Sequence, residues 1–75
     1  MQKPAYFILT LLTEFPLDTH RLKQELLQFP YFHDSSNVDS WIERLTTKDW
    51  IQYRDNKYFV TQTGLDKLIN QFHKK

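Results

Sequence analysis

SSNVDSWIERLTTKDWIQYRDNKYFVTQTG, residues 35–64, is the stretch around which the rest of the chain is organised. Its first half sets Val38, Trp41, Ile42 and Leu45 at the i, i+3, i+4, i+7 spacing of one helix face. These four are expected to face inward, with Trp41 as buried core. The 3.6-residue period then turns Ser36, Ser40, Glu43 and Thr47 outward, with Asn37 and Arg44 on one flank and Asp39 and Thr46 on the other. Ser36-Asn37-Val38-Asp39 has the form of a capping box opening this helix, and Ser35 and Asp34 are the alternative caps. Trp50-Ile51-Gln52-Tyr53-Arg54 and Lys57-Tyr58-Phe59-Val60 read as two short strands around Asp55-Asn56, residues that tolerate positive φ. A two-residue turn there places Arg54 opposite Lys57, Tyr53 opposite Tyr58, Gln52 opposite Phe59 and Ile51 opposite Val60. The face of Ile51, Tyr53, Tyr58 and Val60 is predicted to pack inward. Arg54 and Lys57 meet as like charges, a mildly destabilising pair unless an anion lies between them. Thr61-Gln62-Thr63-Gly64 reopens helix, capped by Thr63 with Asp66 three residues on, or by Thr61.

Before this stretch, Pro4 suits a first helical turn and residues 5–15 read as helix, stopped by Pro16. Ala5, Phe7, Ile8, Leu9, Leu11, Leu12 and Phe15 sweep roughly 200° of its wheel, against ~100° for an ordinary surface helix. Either the helix is central and wrapped by the rest, or part of the face is a homodimer seam through Phe7 and Leu9. The width of the arc predicts the homodimer. Asp18 or Thr19 can cap a second helix over residues 19–28, with Leu22, Leu26 and Phe29 inward and Pro30 as the stop. The connector Phe29-Pro30-Tyr31-Phe32-His33-Asp34 exceeds the turn of a tight helix-turn-helix. Tyr31 and Phe32 are expected to tuck it onto the core; the alternative is an exposed aromatic pair for a partner. Beyond Gly64, Leu65, Leu68, Ile69 and Phe72 form the stripe of a last helix, and His73-Lys74-Lys75 place cations where a helix C-terminus favours them.

Seventy-five residues make one domain, 1–75, of which 40% are apolar and 16% aromatic, too rich for disorder. There is no cysteine, so neither a disulfide framework nor a Cys-based zinc site holds it together. The apolar run at residues 5–12 is far short of a membrane span and lacks a signal-peptide cleavage site, so a cytoplasmic location without membrane attachment is expected. His20, His33 and His73 are scattered, with no metal-ligand spacing, and the single glycine leaves no Gly-rich phosphate loop. Asp39 and Glu43 lie four apart on an exposed face, where a solvated surface is the simple reading. No catalytic residue, metal, cofactor or enzymatic activity is expected. Ten Lys+Arg against nine Asp+Glu give +1, so any case for nucleic acid rests on where the charges sit.

The string W-I-x-Y-R-D-N-K-Y-F-V-T-x-T-G-x-x-x-L, from Trp50 to Leu68, resembles the wing of bacterial regulators of the multiple-antibiotic-resistance and phenolic-acid-regulator kinds. The order helix, hairpin, Thr-x-x-Gly, helix likewise resembles the winged helix-turn-helix domain. This resemblance implies an α+β, mostly α, winged helix: three helices, a two-stranded hairpin wing and a C-terminal helix. It implies a transcriptional regulator, a homodimer with one recognition helix per subunit in the major groove of double-stranded DNA and the wing on phosphates or the minor groove. By position, Ser36, Asn37, Ser40, Arg44 and Thr47 would face the groove, and Arg54, Asn56 and Lys57 would form the wing tip. Asp39 and Glu43 beside a single Arg are poor electrostatics for a polyanion. A winged-helix module that binds a protein partner instead of DNA is therefore the alternative.

Overall fold

The computed structural model describes residues 1–73, with the side chains of residues 1–71. The inward Phe72 and the cationic tail His73-Lys74-Lys75 expected above lie outside the described side chains and residues. The architecture is α+β and mostly helical: α1 (Lys3–Glu14), α2 (Thr19–Leu26), α3 (Ser35–Thr47), β1 (Ile51–Arg54), β2 (Lys57–Val60) and α4 (Gln62–His73). The two strands form one antiparallel hairpin.

Local chemistry sets most of the boundaries. Pro4 lies in the first turn of α1, which begins at Lys3 and stops at Glu14, a residue earlier than expected. Phe15 is extended at φ −144, ψ 131, because a residue preceding proline is excluded from the helical region. Asp18 caps α2, its Oδ1 accepting from the Arg21 N–H at 2.7 Å. That helix ends at Leu26 rather than Gln28. The N–H groups of Gln28 and Phe29 reach back only three residues, to Glu25 and Leu26, and tighten the last turn ahead of Pro30. For α3 the cap is Asp34, not Ser36: its Oδ1 accepts from the Asn37 N–H at 2.8 Å, while Asn37 Oδ1 accepts from the His33 N–H at 3.4 Å. For α4 it is Thr61, not Thr63: Thr61 Oγ1 accepts from the Gly64 N–H at 3.0 Å and donates to the Asp49 carbonyl.

The end of α3 holds a feature with no glycine to announce it. Asp49 has φ 62, and the N–H groups of Asp49 and Trp50 bond the carbonyls of Thr46 and Leu45 at 3.0 Å each. This is a Schellman closure with aspartate in the left-handed position that glycine usually takes. Asp49→Gly is therefore expected to stabilise the protein by about 0.5–1 kcal/mol, since a side chain at positive φ is strained. A thermal melt should show a midpoint several degrees higher; a lower one would mean the aspartate side chain has a stabilising role of its own.

The hairpin has the expected register, Ile51↔Val60 through Arg54↔Lys57. Asp55 and Asn56 have φ 54 and 64, the two positive values a type I′ turn requires. A bridge that sequence did not suggest joins Leu17 to Tyr58, whose N–H donates to the Leu17 carbonyl at 2.7 Å. It fastens the α1–α2 link to the open edge of β2. The inward face differs from expectation at Tyr53, which is 52% exposed while Ile51 is buried. Tyr53 lies on Tyr58 across the rung, at 4.8 Å between rings, and its other side stays open.

The core gathers Ala5, Ile8, Leu9 and Leu12 of α1 with Leu22, Leu26, Phe32, Val38, Ile42, Leu45, Ile51 and Leu68. α1 is the central helix, packed against α3, α4 and β2. Leu9 is 0% exposed, and Phe7 stacks on Phe29 at 4.9 Å and on Tyr31 at 5.1 Å. Leu9 is thus consumed inside one molecule and Phe7 is half-buried under its own ring contacts, so the seam expected through them has little free surface there, while Phe15 at the end of the arc is 61% exposed. The connector tucks in through Phe32, which is buried, whereas Tyr31 lies over Phe7 and stays 37% exposed. Two further positions are corrected. Trp41 is half-buried rather than core, because it lies at the edge of the α3 stripe and packs on its margin. Ile69 is 42% exposed, one step around α4 from buried Leu68.

Candidate nucleic-acid interface

Val38, Ile42 and Leu45 bury one stripe of α3, which leaves its opposite face open. On that face Ser36, Ser40, Arg44 and Thr47 are exposed, together with Glu43. Asn37 is half-buried and differs in kind: its N–H and Oδ1 both close the turn into α3, so only its Nδ2 is left for a partner. Short Ser and Thr side chains along the centre allow close approach of a large surface. Arg44 is drawn to one flank, its guanidinium over the Trp41 ring at 4.6 Å. Lys48, which the sequence reading passed over, continues that flank, with its ammonium over Trp50 at 4.9 Å.

The two acids of α3 are not equivalent. Asp39 forms an ion pair with Lys23 of α2 at 2.7 Å. Both partners keep solvent contact, so the pair contributes at most about 1 kcal/mol to stability. Its larger consequence is electrostatic, since it neutralises one of the two carboxylates next to the outward face. Glu43 remains exposed and in no ion pair among the described residues. Nothing in the local sequence marks Lys23 as the partner, because the pair spans two helices brought together only by packing.

At the hairpin tip Arg54, Asn56 and Lys57 are all exposed. Arg54 and Lys57 occupy the same rung, yet the Arg54 guanidinium lies back over the Phe59 ring at 4.9 Å. That cation–π contact, of about 0.5–1 kcal/mol, offsets the cross-strand repulsion, so no anion is needed to hold the tip together. Lys57 shares a surface hollow with Arg21, Asp18, Phe15 and Leu17, which brings a second cation near the tip with one carboxylate beside it. The Leu17–Tyr58 bridge creates this proximity, and no spacing in the sequence suggests it. A second hollow, lined by Thr19, Asp39, Glu43, Thr47 and Tyr58, joins the α3 face to the hairpin.

The chain matches no known protein family, no curated protein and no solved structure. What the surface can do is read from its own chemistry. It offers hydroxyls along α3, cations at Arg44 and Lys48 on one side, and cations at Arg21, Arg54 and Lys57 at the hairpin end. Among the described residues, no group of His, Cys, Asp or Glu converges into a metal site, and no helix is long and apolar enough to cross a membrane.

Proposed function

We propose that the protein is a small winged-helix DNA-binding regulator, with α3 as the recognition helix and the β1–β2 hairpin as the wing. The observation that supports this most is that Ser36, Ser40, Thr47 and Arg44 on α3 and Arg54, Asn56 and Lys57 at the hairpin tip are all exposed. Hydroxyls in the centre suit base edges or phosphate oxygens, and the flanking cations suit the backbone. Neutralisation of Asp39 by Lys23 removes one of the two acids that weigh against a polyanion. Winged-helix interaction with a protein is the second reading, favoured by the near-neutral charge and by unpaired Glu43. Pairing of two copies through α1 would use its C-terminal end, where Phe15 is 61% exposed.

Electrophoretic mobility shift with random duplex DNA at low and moderate salt separates the two readings. Under the regulator reading, the double change Arg54→Ala with Lys57→Ala weakens binding to all duplexes alike. It also makes the salt slope shallower by roughly 1–2 units, as about two phosphate contacts are lost. Arg44→Ala instead blunts discrimination between sequences by roughly 1–3 kcal/mol. Absence of any duplex complex at low salt would reject the regulator and leave the interaction module.

A further inference from the structure

Beside α3, on the flank away from the hairpin tip, two hollows adjoin. The first, of about 240 Å³, lies among Trp41, Arg44, Leu45, Lys48, Trp50 and Ala5. The second, of about 300 Å³, is lined by Trp50, Lys67, Asn70 and Gln71, and the two share Trp50 and Met1 as a common wall. Together they make a groove across α3, the segment preceding β1, and α4. We propose that this groove binds an acidic peptide segment carrying a bulky apolar anchor residue, and so is a protein-docking site that shares Arg44 and Lys48 with the flank of the α3 face and extends from there to Lys67 and Asn70 of α4.

Three observations point to that occupant. The first is charge: Arg44, Lys48 and Lys67 line the groove and no carboxylate does. In a chain with nine Asp+Glu against ten Lys+Arg, such one-sided lining creates a local positive field that the net charge hides. The second is size. Each hollow sits at or below the bottom of the roughly 300–1,000 Å³ range of small-molecule sites, so each suits one side chain better than a whole ligand. An anchor set between the indoles of Trp41 and Trp50 and ringed by charge is how peptide contacts concentrate their affinity. The third decides between an acidic peptide and a single-stranded nucleic acid, which would also suit cations among aromatics. Arg44 already lies over Trp41 at 4.6 Å, and Lys48 over Trp50 at 4.9 Å. Bases would have to displace these cations to stack on the indoles. Carboxylates meet the same cations where they already stand, held at the rim over the rings.

The protein carries its own reporter, because Trp41 and Trp50 are its only tryptophans and both line the groove. The probe is a short peptide of Glu and Ser residues with one central Phe, titrated while tryptophan emission is followed. A saturable change is expected below about 1 mM. Replacing the Phe of the peptide by Gly, or introducing Lys67→Glu with Asn70→Glu in the protein, should each weaken binding roughly tenfold or more. Lys67 and Asn70 are both exposed, so the variant should keep its fold, which circular dichroism verifies, and the peptide comparison needs no variant at all. No saturable change, equal binding by the Gly peptide, or equal binding by the charge-reversed protein would overturn the proposal. So would tighter binding of an oligothymidylate of the same charge as the peptide. Neither Lys67 nor Asn70 belongs to the proposed DNA contacts, so loss of duplex binding and loss of peptide binding are separate results.

Discussion

An alanine at Gly64 is expected to destabilise the protein by about 3 kcal/mol or more, a large share of the roughly 4–11 kcal/mol available to a chain of this length. The Cβ would fall 2.1 Å from the Trp50 carbonyl oxygen and 3.0 Å from Val60 Cγ2. The nearer obstacle is backbone, and it is held in place. The Trp50 carbonyl accepts from the Thr61 N–H at 3.0 Å, and Thr61 caps α4 through the Gly64 N–H. Moving either partner breaks the junction at which α3, the hairpin and α4 meet. Gly64 does not have positive φ, so no backbone strain enters, and in a plain helix alanine would be preferred by about 1 kcal/mol. Propensity and close approach thus predict opposite signs. Urea unfolding followed by circular dichroism decides: a higher midpoint for Gly64→Ala would mean that α4 does not press on Trp50 in solution.

That junction also shows what the sequence makes legible. Thr61-Gln62-Thr63-Gly64 announces a helix start and Asp55-Asn56 announces a two-residue turn, because both signals are local and each has few alternatives. Once the turn is placed, the whole register from Ile51↔Val60 to Arg54↔Lys57 follows without further information. The outward face of α3 is legible for the same reason, since a single period fixes which side chains oppose Val38, Ile42 and Leu45. Choices between adjacent caps were not legible. Asp34 over Ser36, and Thr61 over Thr63, depend on how the preceding chain arrives: Asn37 Oδ1 clasps the His33 N–H, and Trp50 receives the Thr61 N–H. Contacts between elements were invisible altogether. Lys23 against Asp39, Leu17 beside Tyr58 and Arg21 near Lys57 all arise when distant segments pack, and they reshape the electrostatics of the candidate site. Trp41 marks the boundary between the two cases. Its phase on α3 puts it beside the buried stripe, yet how deep it sits depends on what lies across from it, and there the neighbour is an open hollow.

Leu9→Ala is expected to cost about 3–5 kcal/mol, and Leu9→Lys to abolish folding. Leu9 is 0% exposed in the helix that α3, α4 and β2 all pack against, so truncation leaves a void that several elements would have to close together. A small domain has little room for such collapse, and the cavity adds to the lost burial. A lysine there has no carboxylate to pair with, because among the described residues the core contains no buried polar or charged residue. Phe15, at the end of the same helix and 61% exposed, provides the contrast: Phe15→Glu should change stability by no more than about 0.5 kcal/mol. The pair of variants therefore distinguishes a central helix from an interface helix. Circular dichroism with sedimentation equilibrium at tens of micromolar should find Leu9→Lys unfolded and Phe15→Glu folded; if the parent is dimeric through α1, Phe15→Glu should also be the variant that dissociates. A folded, monomeric Leu9→Lys would instead place Leu9 against a second copy and overturn the assignment of α1 as the centre of one molecule's core.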